Sequence, residues 1–309
     1  MNAIILFSYA NLHSIDDIEP FYHHIFHGNV KEDSVARGRH MYESVGTCDP
    51  LASNTRRIGE ALVRRLKAST GEQWTFYIGN KHIAPFISDA IQACLKDGAK
   101  RIVTLGLTPF ASRTGTEVYE REVVQVLEEQ GDLHIPVKHI PPFYSNEMVV
   151  DVLSKRLNDA INWLPESVRD QAEVIFTAHS MPGRPEAHQV FIDQYTRLAQ
   201  RLIETTEMSS YHLAYRSQGA HPQIWLEPNV LDVIKRIGEN NGQAVVICEL
   251  LSVIANAEAI RELGEDSKHL ANQLGMDFVQ TEYLNDSDDF MQALFHHVFH
   301  EVSRDKRAL

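Results

Sequence analysis

Residues 174–184 read VIFTAHSMPGR and place His179 where a short apolar run opens into a Ser-Met-Pro-Gly turn. An imidazole titrates near neutral pH, so it can accept a proton or bind a metal. At the carboxyl end of a strand it stands where open α/β sheets present ligand-facing groups. Alone, such a histidine is more often a satisfied polar residue than a catalytic base, so it needs a partner. Residues 247–266, ICELLSVIANAEAIRELGED, offer one: an apolar strand ends near Leu250, and helical spacing follows. Glu258, Glu262 and Asp266 fall at i, i+4 and i+8, which would align three carboxylates on one helix face. Crowded carboxylates raise one another's pKa and bind hard cations through oxygen. A solvated acidic face has the same spacing, but Glu258 follows Val253-Ile254-Ala255-Asn256-Ala257, an apolar setting in which a carboxylate needs a role or a partner.

Two further patterns carry weaker signals. Residues 215–230, YRSQGAHPQIWLEPNV, run from a strand end through a glycine-containing loop to Trp225, which suits either lobe packing or the wall of a site for a flat ligand. HHIFH at 23–27 and HHVFH at 296–300 space their histidines as zinc-chelating helices do, without the glutamate of a metalloprotease, and read as half-exposed helix faces. No phosphate-binding glycine loop and no G-x-S-x-G elbow is present, which removes the main support for nucleotide chemistry and for a common serine hydrolase.

The elements that must position these residues alternate along the chain. Strands are expected at Ala3–Ser8, Thr75–Ile78, Arg101–Leu107, Val137–Ile140, Val174–Thr177, His212–Tyr215, Ala244–Leu250 and Phe278–Glu282. Helical patterns at Asn54–Ala68, Ile83–Lys96, Thr116–Glu129, Glu147–Asn162, Phe191–Thr205 and Pro228–Ile237 separate them, as parallel sheets with right-handed crossovers require. The expected fold is α/β: two Rossmann-like lobes, each a four-stranded parallel sheet flanked by helices, with the active site in a cleft between them. The first lobe would span 1–145 and the second 146–286, with a C-terminal helix in 287–309 packing back on the first.

Composition narrows the partners. The net charge of −13 lacks the clustered cations that nucleic acid requires. The three cysteines, Cys48, Cys94 and Cys248, form no C-x-x-C pair, so a disulfide framework or cysteine-rich metal site is not expected and a reducing cytoplasm fits. The N-terminal MNAIILFSYANLHS reads as a first strand, not a signal peptide, and no apolar stretch reaches bilayer-spanning length.

Taken in order, these segments resemble the ferrochelatase family, and within it the monomeric Gram-positive type that metallates coproporphyrin. SYANL resembles the family's opening strand with its tyrosine, here Tyr9, and FYHHIFHGN the helix after it. MYESVGTCDPLA resembles a porphyrin-contacting loop and contains Tyr42 and Asp49. FYIGNKHIAPFISDA, TAHSMP, YRSQGAHPQIWLEPNV and LNDSDDFMQAL match further motifs in the right sequence order. The resemblance implies a chelatase-like fold and insertion of ferrous iron into a porphyrin in haem biosynthesis, with iron as substrate and no cofactor required. It implies His179 and Glu258 as the catalytic pair and His179, Glu258, Glu262 and Asp266 as metal contacts. Tyr9, Tyr42, Asp49, Arg113, Ser180 and Trp225 would contact the porphyrin, and the protein would be a monomer. Coproporphyrin III is favoured over protoporphyrin IX.

The chain also departs from the family pattern. Arg216 stands where glutamine or another polar residue is common, and Ser252 where phenylalanine is. Ala255 and Asn256 replace an Asp-His pair before the glutamate, and Asp49 replaces a small hydroxyl residue. Arginines expected near the propionates appear as Phe26-His27 and Met41, leaving Arg37, Arg39, Arg113 and Arg216 as the cations able to compensate. Two alternatives stay open: a homologue that binds a tetrapyrrole or metal without turnover, and a chelatase for another tetrapyrrole. A two-lobed periplasmic-type binding protein fits less well, given the N-terminal reading and the motifs.

Overall fold

The computed structural model describes residues 1–46, 49–208, 210–219 and 223–305; Cys48, the Ala220-His221-Pro222 part of the third stretch and the end of the C-terminal segment lie outside them. Strand β1 (Asn2–Ser8) is buried from residue 3 onwards, as its unbroken apolar run demands of a strand covered on both faces. Three helices follow it, α1 (Ile18–Ile25), α2 (Glu32–Ser44) and α3 (Pro50–Thr70). Asp49 accepts a hydrogen bond from Leu51 N, Pro50 opens the first turn of α3, and Gly71 closes the helix in the left-handed region at φ 69°. Then come β2 (Trp74–Asn80), α4 (Ile87–Lys96), β3 (Arg101–Gly106), α5 (Thr116–Gln130) and β4 (Val137–His139). The sheet is all-parallel in the order β2-β1-β3-β4, with Asn2 in register with Trp74 and Arg101.

The second half repeats the plan: α6 (Glu147–Trp163), α7 (Glu166–Arg169), β5 (Ala172–His179), α8 (Gln189–Ile203), β6 (Tyr211–Arg216), α9 (Val230–Glu239) and β7 (Ala244–Glu249). After β7 a helix begins as α10 (Ala257–Ala259), widens into a π segment (Ile260–Ser267) and returns to α geometry as α11 (Lys268–Gln273), before β8 (Asp277–Gln280). The second sheet is also all-parallel, ordered β6-β5-β7-β8. The eight strands agree with those expected from sequence to within three residues at any end. The two-sheet α/β class is therefore as expected.

The chain divides into two compact units, Met1–Leu107 with Arg113–Pro142 and Asn285–Leu309, and Thr108–Ser112 with Phe143–Leu284. Thr108–Ser112 joins the second unit because Phe110 meets Phe191 and Tyr195 edge-on at 5.5 and 5.9 Å, and Ala111 N donates to Gln194 Oε1 at 2.7 Å. Helix α12 (Asp288–Asp305) returns to the first unit. Arg57 pairs with Asp286 at 2.6 Å, Arg65 with Asp288 at 2.7 Å and Lys138 with Glu301 at 3.2 Å, which ties both its ends to that unit. Cys94 and Cys248 are buried and not disulfide-bonded.

Candidate active site

Sheet register assembles the site. In parallel neighbours, paired residues share a face, and positions two apart along a strand share it too. His179 is paired with Arg216, and Thr177 with Glu249. All four therefore project from one face at the carboxyl ends of three adjacent strands. The helix that starts at α10 brings Glu258 and Glu262 to the same place, and its start is fixed by Asn256, whose side chain accepts from Ala259 N at 2.9 Å. That cap is what the asparagine contributes in place of the family's histidine.

His179 Nε2 lies 3.3 Å from Glu258 Oε2, and its Nδ1 lies 2.6 Å from Ser180 O. A carbonyl can only accept, so Nδ1 carries the proton of that bond and Nε2 is the basic nitrogen. The two side chains keep 37% and 42% exposure, so the pair is set among protein atoms yet open to water on one side. Burial opposes charge on the imidazole, but the Glu258 carboxylate outweighs it and raises the His179 pKa above its ordinary value. Burial likewise opposes charge on Glu258, but His179 and Arg216 together hold its carboxyl well below the usual range.

Arg216 is the residue that organises the rest. Its side chain is 1% exposed, and its Nε reaches Glu249 Oε2 at 3.2 Å. Nη1 faces Glu258 Oε2 at 3.2 Å, Glu262 Oε2 at 3.4 Å and Ser217 Oγ at 3.0 Å, while Nη2 donates to Ser252 Oγ at 2.8 Å. Glu249, 2% exposed, accepts also from Thr177 Oγ1 and from Ser252 N, both at 2.8 Å. Ser217 Oγ donates to Glu262 Oε2 at 2.5 Å. Burial, and then the Glu258 charge, raise the Glu262 pKa despite Arg216. Two family departures, Arg216 and Ser252, thus meet in one hydrogen-bonded network. Arg216 is no rim cation: it is consumed by carboxylates.

The three carboxylates of the acidic row differ in their partners. Glu258 and Glu262 converge on Arg216, and residues Ile260–Ser267 form a π-helix. Ser267 Oγ donates to Glu262 O, five residues back, at 2.8 Å. Asp266 instead pairs with Arg261, also five residues back, at 3.0 Å, and Arg261 further holds Glu265 at 2.8 Å. Among the described residues no group of three or more His, Cys, Asp or Glu side chains is arranged to hold a metal ion.

The other expected contacts fall as follows. Ser180 is buried and spends its hydroxyl on Leu226 O at 2.9 Å, which shapes the loop after β5. Trp225 bridges to Pro182 and lies so close to Gly219 that a Cβ there would stand 2.4 Å from its ring. In the first unit Tyr9 is 48% exposed, with its ring 4.6 Å from that of His82, and Lys81 Nζ stands 5.9 Å from its centroid. Tyr42 is buried on α2, Asp49 is the buried cap of α3, and Arg113 is exposed. Arg39 is engaged by Asp16 and Glu19, and Arg37 by Ser34. The histidine clusters do not chelate as spaced: His24 Nδ1 meets His82 Nδ1 at 3.0 Å, His297 meets Pro141 O at 2.8 Å, and His300 meets Glu301 at 3.4 Å. Glu249 went unnoticed in the sequence. Its signal was a carboxylate ending the otherwise apolar run AVVICE, which demands a buried partner.

Comparison with known proteins bears on the family and the fold. The family model described as Ferrochelatase matches residues 2–302. The chain is 28% identical over 98% of both chains to a protein named coproporphyrin III ferrochelatase from Bacillus subtilis. It is 27% identical, over 94% of its own length and 96% of the other's, to one named ferrochelatase from Herpetosiphon aurantiacus. Among solved structures it is similar to SirB from Bacillus subtilis with Fe3+, at a TM-score of 0.61, 14% identity and 99% and 98% coverage. That last likeness concerns the fold alone.

Proposed function

Because the chain belongs to the ferrochelatase family, we propose that it inserts ferrous iron into coproporphyrin III, with His179 as the base and Glu258 as its partner. The observation that carries this reading is the 3.3 Å pairing of His179 Nε2 with Glu258 Oε2 at the strand ends of the second sheet. Metallation replaces two pyrrole N–H protons by one Fe2+, so a group must accept protons beside the metal's path. His179 Nε2 is the basic nitrogen, and each proton it takes is stabilised by the adjacent carboxylate. The exposed side of the pair gives that proton a way to water, so one imidazole can serve for both protons. Glu258 and Glu262 offer oxygen ligands to the incoming iron, as hard donors for a divalent ion. In the same unit as the pair, Trp225 offers the porphyrin an indole.

Coproporphyrin is preferred because relatives over nearly the whole chain carry that name. The test is anaerobic incubation of the purified protein with Fe2+ and either coproporphyrin III or protoporphyrin IX, followed by absorbance. Faster metallation of coproporphyrin III supports the reading; faster protoporphyrin IX turnover overturns the substrate assignment. A porphyrin spectral shift with no metallation above the protein-free rate overturns the chemistry.

A further inference from the structure

We propose that the Arg216 guanidinium is a built-in cation, filling the place between Glu258 and Glu262 where a divalent ion would otherwise lodge, so that substrate metal passes through the site without being retained. This deepens the reading above and rests on its assignment of Glu258 and Glu262 to the metal. The geometry is specific. One nitrogen, Nη1, is approached by Glu258 Oε2 at 3.2 Å, Glu262 Oε2 at 3.4 Å and Ser217 Oγ at 3.0 Å. Oxygens converging on one point make a cation site, and here the occupant is covalently attached to the chain. Metal–oxygen distances are about 2.0–2.2 Å, so the two carboxylates need close by only about 1 Å each to hold an ion at that point.

The guanidinium cannot swing away. Its Nε is fixed to Glu249 at 3.2 Å, its Nη2 to Ser252 at 2.8 Å, and Glu249 is in turn held by Thr177 and Ser252 N. The side chain is 1% exposed, and its backbone is locked in register with His179. A dication drawn to the exposed edge of Glu258 therefore meets two carboxylates already satisfied by a buried positive charge that repels it. Its affinity is kept low. For a protein whose metal is cargo, low affinity favours release to the porphyrin.

The test uses the whole protein and Co2+ as a spectroscopic probe without porphyrin. The double variant Arg216→Gln with Glu249→Gln removes one buried charge of each sign, so the net charge of the cluster is unchanged while Glu258, Glu262, His179 and Ser217 remain. It is expected to bind Co2+ at least about tenfold more tightly than the parent, and adding Glu262→Gln is expected to abolish the gain. In anaerobic turnover with Fe2+ its kcat should fall and its KM for iron should fall with it, as for a metal held too well. Arg216→Lys, which keeps the charge, should leave Co2+ affinity within about threefold of the parent. Should the glutamine pair fail to fold, Arg216→Met with Glu249→Met replaces the buried pair by apolar groups of similar volume and is read the same way. Unchanged or weaker Co2+ binding in a folded double variant overturns the proposal. Failure of the parent protein to metallate any porphyrin would instead count against the reading above, while the Co2+ comparison would still decide this one.

Discussion

A single carboxylate oxygen, Glu258 Oε2, receives His179 Nε2 at 3.3 Å and Arg216 Nη1 at 3.2 Å. The imidazole end of this relay faces water and the guanidinium end is sealed, so the two partners differ in what they contribute. Removing His179 takes away the proton acceptor and little packing. His179→Ala is expected to lower kcat for porphyrin metallation by about 100-fold or more, the range general bases supply, with urea stability changed by less than about 1 kcal/mol. Glu258→Gln should cost a similar factor, since it removes the charge that stabilises the imidazolium. Stopped-flow metallation under anaerobic conditions reads both; a loss below tenfold in either would remove that residue from the chemistry.

Arg216 and Glu249 are each almost wholly buried, at 1% and 2% exposure. Breaking such a pair by neutralising one member strands the other, at a cost of about 3–5 kcal/mol. Glu249→Gln and Arg216→Gln should each lower the urea unfolding free energy by that order. The double variant should recover at least about half of the summed loss, because it strands neither charge. Additive losses in this double-mutant cycle would show that the two side chains do not act as a pair.

His82 provides a pH signature in the first unit. Its pKa lies at about 4, pushed down first by burial and then by the neighbouring Lys81, His24 and His27, against an ordinary value of 6.5. The folded protein thus resists a proton that the unfolded chain accepts. Stability from this group is intact above pH about 6.5 and is lost as pH falls towards about 4. Because the ring is partly open to water, the loss should be about 1 kcal/mol, not the full value of the shift. Urea midpoints at pH 7 and pH 4.5 should therefore differ less in His82→Asn than in the parent. Equal slopes in the two proteins would show that His82 is not resisting protonation.

The strands were readable because the second sheet and the first are both built from short apolar runs bounded by helix-length connections, a pattern that specifies parallel pairing before any contact is known. His179 was readable for the same reason: a polar side chain ending such a run lands at the functional edge of the sheet. Arg216 and Glu249 were not, because their meaning lies in register. They stand on strands that flank β5 on opposite sides, and only the pairing of His179 with Arg216 and of Thr177 with Glu249 brings them together. Ser252, read as a lost aromatic, supplies an acceptor that the guanidinium uses. The π segment was hidden for another reason. Its spacing satisfies an α-helical count of carboxylates, and only the hydrogen bonds reveal that the turn has widened.

Different partners distinguish two carboxylates that sequence spacing treats alike. Glu262 is 30% exposed, hydrogen-bonded by Ser217 and drawn to Arg216, and it lies in the same network as Glu258. Asp266 is 42% exposed and engaged by Arg261, whose own guanidinium is shared with Glu265. An exposed pair of this kind contributes about 0–1 kcal/mol, and its loss should not reach the chemistry. Asp266→Asn is therefore expected to keep kcat and the KM for iron within about twofold of the parent. Glu262→Gln removes an oxygen donor from the metal's path and should raise the KM for iron by about tenfold or more, with porphyrin affinity unchanged. Steady-state rates at varied Fe2+ and fixed coproporphyrin III compare the two directly. Equal effects from both substitutions would mean that the acidic residues act as one diffuse attractive surface, and that their different partners do not sort them.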